Sequence, residues 1–212
     1  MAAMVRNVGL DRERNPASQP RKAQTMTTST PSTDDLAASG ASTAGGERAD
    51  LLATLAKNRH FLRFTTRGLT DEQARQRTTV SELCLGGLIK HVTAAEQGWA
   101  DFIGEGTSAM KDFTAMTEDD YARRADQFRL LPGETLAAVL ADYAEVAHRT
   151  DELVASLPDL NAGHPLPKAP WFESGQSWSA RQVLLHIIAE TAQHAGHADI
   201  IRESLDGAKS MG

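Results

Sequence analysis

The sequence has one cysteine, Cys84, among its 212 residues. No disulfide can form within the chain and no cysteine-based zinc site can be built, so any metal must take nitrogen and oxygen ligands. Aromatic residues are few, although an apolar fraction of 41% is enough for a real core. No apolar run approaches the roughly 18 residues of a membrane span. Basic residues are outnumbered, 22 against 28, for a net charge of −6, which argues against a nucleic-acid-binding surface. There is no strand-like alternation and no internal repeat. Such a length fits one domain with room for a tail.

The tail is expected at residues 1–46. Its first part is basic (Arg6, Arg12, Arg14, Arg21, Lys22) but has no apolar stretch behind it, so a secretory signal is not expected. Thr27 to Gly46 is rich in Thr, Ser, Ala and Gly and has almost nothing to bury, which predicts disorder. Met26 offers an alternative start to Met1.

Order is expected over 47–212. Leu51, Leu52, Leu55, Phe61 and Leu62 recur at helical spacing before Gly68. Thr70 and Gln73 form a capping box for a short helical turn. A second long helix is expected from Thr79 or Ser81, with Leu85, Leu88, Val92, Ala95, Trp99 and Phe102 as its stripe and His91 beside it. Gly86 and Gly87 weaken that helix by roughly 1 kcal/mol each relative to Ala, and point to close approach of another backbone. A minor helix begins at Thr117, a third long one covers Glu134–Leu157, and a proline-rich loop leads to the last. Four long amphipathic helices in one domain predict an all-α fold, an antiparallel four-helix bundle.

The last helix, predicted over Gln176–Glu203 with a capping box at Ser179 and Gln182, carries the chemistry. At about 100° per residue, His186, Glu190, His194 and His197 fall within roughly one 80° arc. Val183, Ile187 and Ile201 flank that arc, so it is expected to face inward. Imidazoles and a carboxylate are costly there unless they pair or bind something. Glu190 and His194 are four apart and meet on one face, a spacing that can clamp a metal ion. A third ligand must come from another helix, and His91 is the best donor; two imidazoles and one carboxylate with an open position form a catalytic zinc set. His186 is expected as an outer partner or a substitute ligand. His197 could be a fourth ligand, a general base and so a catalytic residue, or a polar contact at the bundle end. Trp99, Trp171 and Trp178 are assigned to packing, Cys84 to the core, and Arg123 and Arg124 to a solvated face. His60, His148 and His164 are given surface or loop roles.

Gly87-Leu88-Ile89-Lys90-His91 with Glu96 and Trp99, together with the run from His186 to Glu203, resembles the DinB-like superfamily. The likeness is greatest to its actinobacterial branch linked with mycothiol-dependent enzymes, and Gly68 to Arg75 resembles that branch too. The resemblance covers about residues 47–207. It implies a four-helix bundle, often dimeric, with one divalent metal in the core, held by a histidine of the second helix and a His-x-x-x-His pair of the last. Here Glu190 stands at the first position of that pair. The same Glu-x-x-x-His variant is typical of the mycothiol-dependent maleylpyruvate isomerase, and it makes the occupied site one charge less positive.

The resemblance therefore implies His91, Glu190 and His194 as ligands of a divalent metal, zinc before nickel or another ion, with mycothiol as co-substrate. The implied activity is thiol S-transfer to, or isomerisation of, a small electrophile, in a cytoplasmic homodimer with no nucleic-acid or membrane partner. A non-catalytic metal-binding stress-response protein is the alternative.

Overall fold

A computed structural model describes residues 43–210. Met26 and residues 1–42 of the expected extension lie outside the described residues.

The first helix, α1 (Thr43–Phe64), runs into a set of turns. There the Thr65 and Thr66 hydroxyls donate to the carbonyls of Leu62 and Arg63, at 2.7 Å each, and Gly68 turns the chain at φ +68°. Thr70 and Gln73 form the expected capping box for α2 (Asp71–Arg75). The second long helix, α3 (Leu85–Glu105), starts later than the expected Thr79 or Ser81, at the first residue of its apolar stripe. Between the two helices the Thr79 and Ser81 hydroxyls accept from the backbone N–H groups of Ser81 and Leu83, at 3.2 Å each. Such local bonds offer the backbone an alternative to the helix. Cys84 caps α3, its sulfur accepting from the Gly87 N–H at 3.4 Å.

Two short 3-10 turns follow, then α4 (Glu118–Asp126) with a capping box between Thr117 and Asp120, and α5 (Leu136–Ser156). The chain is mostly helical, as an all-α reading requires, with one small departure. Strands β1 (Gly163–Pro165) and β2 (Ser177–Ser179) pair antiparallel, His164 opposite Trp178. Segments of three residues are too short to show an alternating pattern. Their closeness depends on Gly163, where a Cβ would sit 2.4 Å from the Trp178 carbonyl oxygen. Residues 177–179 thus belong to a strand, and α6 (Ala180–Asp206) begins after Ser179, whose capping box with Gln182 is present. No described helix is long and apolar enough to cross a membrane.

The long helices pack in the order α1, α6, α3, α5, with a lighter contact closing back to α1. Two apolar clusters form the core. One gathers Leu62, Leu88, Val92, Val139, Tyr143 and Ile201; the other gathers Leu55, Phe102, Val154, Leu184 and Ile187. Between them in sequence lie buried polar residues from every long helix: Arg59, Glu96, Thr150, and Thr191 with His194. The two threonines satisfy themselves on carbonyls of their own helices, Val146 and Ile187. Arg59 reaches from α1 to α3, donating through Nε to Glu96 at 3.1 Å and through Nη2 to the other carboxylate oxygen; its Nη1 donates to Asp151 of α5 at 2.8 Å.

Glu96 has 1% of its surface exposed, and removing one partner of a buried pair leaves an uncompensated charge, which costs about 3–5 kcal/mol. Glu96→Ala is expected to lower unfolding free energy by about that amount in chemical denaturation, whereas Arg59→Met with Glu96→Leu recovers most of the loss.

Candidate metal centre and adjoining cavity

His91 owes its position to two glycines. A Cβ on Gly87 would lie 1.9 Å from the Phe128 carbonyl oxygen, and one on Gly86 would lie 3.1 Å from Leu130. The segment after α4 therefore lies directly on the first turn of α3, the close approach that the glycine pair predicts. It lays the Phe128 ring over the His91 imidazole, with centroids 4.0 Å apart and planes at 24°. The other edge of His91 meets His194 of α6, centroids 4.8 Å apart at 82°.

Helical spacing does the rest. His194 Nε2 lies 3.6 Å from Glu190 Oε2, and one ligand atom from each of His91, Glu190 and His194 lies within 4.8 Å of the others. The three predicted ligands, remote in sequence, thus share one locus between α3 and α6. They do not satisfy one another, because 3.6 Å is beyond a good hydrogen bond. Among the described residues His91 Nδ1 is buried with no hydrogen-bond partner, a state that costs about 1–3 kcal/mol when nothing occupies it. Two nitrogen donors and a carboxylate suit a divalent ion.

The flanking histidines take different places. His197 Nδ1 lies 3.3 Å from His194 Nδ1, on the opposite side of that ring from Glu190. That is the place an outer partner of a candidate ligand would take. His186 Nε2 is 3.9 Å from Glu190 Oε1, and its ring packs on Trp99 and Trp178 at centroid distances of 4.8 and 5.2 Å.

Burial pushes the His91 imidazole down to about 4, helped by the charges of His194 and Arg124. Burial also lowers His194 and His186, against the pull of Glu190. These imidazoles are neutral at pH 7, the state in which they offer lone pairs.

A cavity of about 470 Å³ opens onto His91, Glu190 and His186. Its walls include Trp99, Phe113, Trp171 and Phe172, with Lys111 and Arg124 among its lining residues. Here the structure corrects the packing assignment: Trp178 does stack on Trp99, at 5.0 Å and 22°, but Trp99 and Trp171 also face the cavity, and Trp171 is 61% exposed. Arg124 is exposed, as expected of a solvated face, and also lines this cavity. The Phe113 N–H donates to the Lys168 carbonyl at 3.0 Å, tying one wall to the proline-rich loop that carries the other. The available sequence signal was Trp171-Phe172, a bulky aromatic pair in a loop with no helical stripe to join. His164 also leaves its expected surface role, packing edge-on against Phe102 with Nε2 3.3 Å from the Ile103 carbonyl oxygen. A larger groove, about 840 Å³, runs beside His60, Arg63 and Leu140 and holds no member of the triad.

A family model described as MST: Mycothiol-S-transferase matches residues 50–207, well over half of the chain, including His91, Glu190 and His194. No curated protein matches it.

A histidine whose folded pKa is depressed binds its proton less readily than in the unfolded chain, so stability falls as pH drops from about 6.5 toward 4. For His91 the loss is at most about 3 kcal/mol. Metal-free protein unfolded by denaturant across that range is expected to show this slope, and His91→Asn to flatten it; parallel slopes would reject the assignment.

Proposed function

Since the chain belongs to the mycothiol-S-transferase family, we propose that it moves the thiol of mycothiol onto a small electrophile with a divalent metal at His91, Glu190 and His194. One observation carries the metal assignment: three candidate donors from two helices, one of them buried with no hydrogen-bond partner among the described residues, meet within 4.8 Å beside a cavity. Zinc suits the donor set, and nickel or another divalent ion accepts the same groups. Such an ion, when bound, supplies the charge that keeps a coordinated thiol deprotonated at neutral pH, and the thiolate is the competent nucleophile.

The protein's own residues supply the rest. Neutral His91 and His194 present lone pairs without proton competition at pH 7, and Glu190 brings the single negative charge. His197 holds His194 from behind through the 3.3 Å contact between their Nδ1 atoms, and is assigned here as a positioning residue. The aromatic walls exclude water around the nucleophile and give an electrophile a surface to stack on. A binding protein without catalysis, of the stress-response kind, would use the same triad; it would not need an aromatic cavity reaching the metal position, and that cavity favours transfer.

The four long helices, packed in a ring, are taken as the antiparallel four-helix bundle of the DinB-like kind. Domain limits at 47 and 212, a homodimer and a cytoplasmic location belong to the same proposal.

Elemental analysis is expected to find one divalent metal per chain in the purified protein, lost in Glu190→Ala and in His91→Ala while helical circular dichroism persists. His197→Ala should weaken metal affinity by roughly 10- to 100-fold. Metal-dependent disappearance of free mycothiol in the presence of an electrophile should follow the same order. Unchanged metal stoichiometry in both ligand variants would sink the assignment.

A further inference from the structure

Lys111 and Arg124 line the cavity, with Arg123 beside Arg124 on α4, and Lys111 and Arg123 share a single carboxylate. Asp120 is held in the capping box with Thr117, where it gathers both Lys111 and, at 2.6 Å, Arg123. These hydrogen bonds, that of Lys111 first, hold its carboxyl well below the usual range, so it stays a full counter-charge. Arg124 follows next on α4, turned by about 100° from Arg123. It lines the cavity and has no ion pair among the described residues. Its guanidinium carbon lies 6.0 Å from the centroid of Phe113, a wall of the same cavity. Its charge also reaches His91, where it disfavours the imidazolium.

The surrounding rings meet edge to face, Phe113 with Trp171 at 5.0 Å and Trp171 with Phe172 at 6.1 Å. Trp171, 61% exposed, offers a flat guest an aromatic surface to stack on. A guanidinium with no partner is a planar fork of donors that matches a carboxylate. A planar cation beside aromatic rings, with His91 and Glu190 lining the same cavity, defines a guest with three parts: a carboxylate, a flat body and an electron-poor carbon.

We infer that Arg124 is the anion-recognising residue of this cavity, and that the acceptor of the thiol is a flat, conjugated electrophile carrying a carboxylate. The inference takes the electrophile from the transfer proposed above, but the anion subsite stands on its own geometry. With a chloro-dinitrobenzoate as acceptor the step balances simply. A carbon–sulfur bond forms at the ring carbon, the carbon–chlorine bond breaks, chloride leaves with its electron pair, and the thiol proton goes to solvent.

Two measurements test it. Tryptophan fluorescence follows binding of 3,5-dinitrobenzoate and of its neutral isostere 3,5-dinitrobenzamide to full-length, metal-free protein, in which the carboxylate has no metal to reach. Wild type should bind the acid roughly 10- to 100-fold more tightly than the amide, the range of a charge-assisted hydrogen bond. Arg124→Gln should erase that preference, and Arg124→Lys should restore part of it. Equal binding of acid and amide by wild type, or an acid preference that survives Arg124→Gln, overturns the subsite.

The metal-loaded protein is then given mycothiol with 4-chloro-3,5-dinitrobenzoate or the matching benzamide. The acid-to-amide ratio of kcat/KM should fall by roughly 10- to 100-fold in Arg124→Gln, mainly through KM. Turnover with a ratio that the variant leaves unchanged removes Arg124 from recognition while thiol transfer survives. Absence of turnover with either acceptor, beside Arg124-dependent binding, removes the transfer reading and leaves the anion subsite in place.

Discussion

The Arg59–Glu96 ion pair is the constraint on which the interior is arranged. It joins α1 to α3, helices that lie across the core from one another in the packing order. Two ions removed from water are stable there only when each finds a partner and the remaining donors are used. Arg59 meets that condition by spending its third nitrogen on Asp151 of α5. One side chain therefore fixes the relation of three helices. The apolar clusters on either side can tolerate a shift of packing, because hydrophobic contact is not directional, but a buried guanidinium cannot lose its carboxylate. Thr150 and Thr191 complete the level with local bonds that ask nothing of other helices.

The candidate metal centre lies close to this level on two of the same helices. His91 precedes Glu96 on α3 by little more than a turn, and His194 follows Thr191 on α6 by three residues. Holding α3 against the rest thus also holds one candidate ligand against the other two. The far end of α6 is anchored separately, where Arg202 Nη1 donates to the carbonyls of Thr65 and Arg67 at 2.8 Å each. That contact satisfies backbone acceptors just past the end of α1 and places the rigid helix bearing Glu190 and His194. On the other side, Gly87 lets the segment of Phe128 come close enough to cover His91. The glycine pair weakens α3 by propensity, and in exchange His91 lies in dry surroundings that keep it neutral.

Acidic and basic groups divide the cavity between them. Glu190 gives the cavity its negative charge, and among the described residues Arg124 is the lining cation that no carboxylate pairs. A nucleophile held at the triad and an anionic group held at Arg124 would place the reacting carbon between them. Aromatic rings fill the interval, which suits a conjugated guest and keeps water from competing. Each part comes from a different segment: α3, the turn at Phe113, α4, the proline-rich loop and α6.

What could be read without coordinates was local. The capping boxes at Thr70 and Ser179 each involve residues three apart, and the arc of His186, Glu190, His194 and His197 follows from the helical repeat alone. Glu190 and His194 were legible as a pair for that reason, and Gly86-Gly87 foretold a close neighbour without naming it. Tertiary structure alone decided that His91 meets that pair, that Arg59 is buried on Glu96, that Trp99 and Trp171 line a cavity, and that Asp120 leaves Arg124 without a partner. The late start of α3 and the β1–β2 pair were hidden because short polar turns and three-residue strands carry no periodic signal. The division has one physical cause. A repeat fixes neighbours within a helix, whereas which faces meet across the core depends on contacts between segments far apart in the chain.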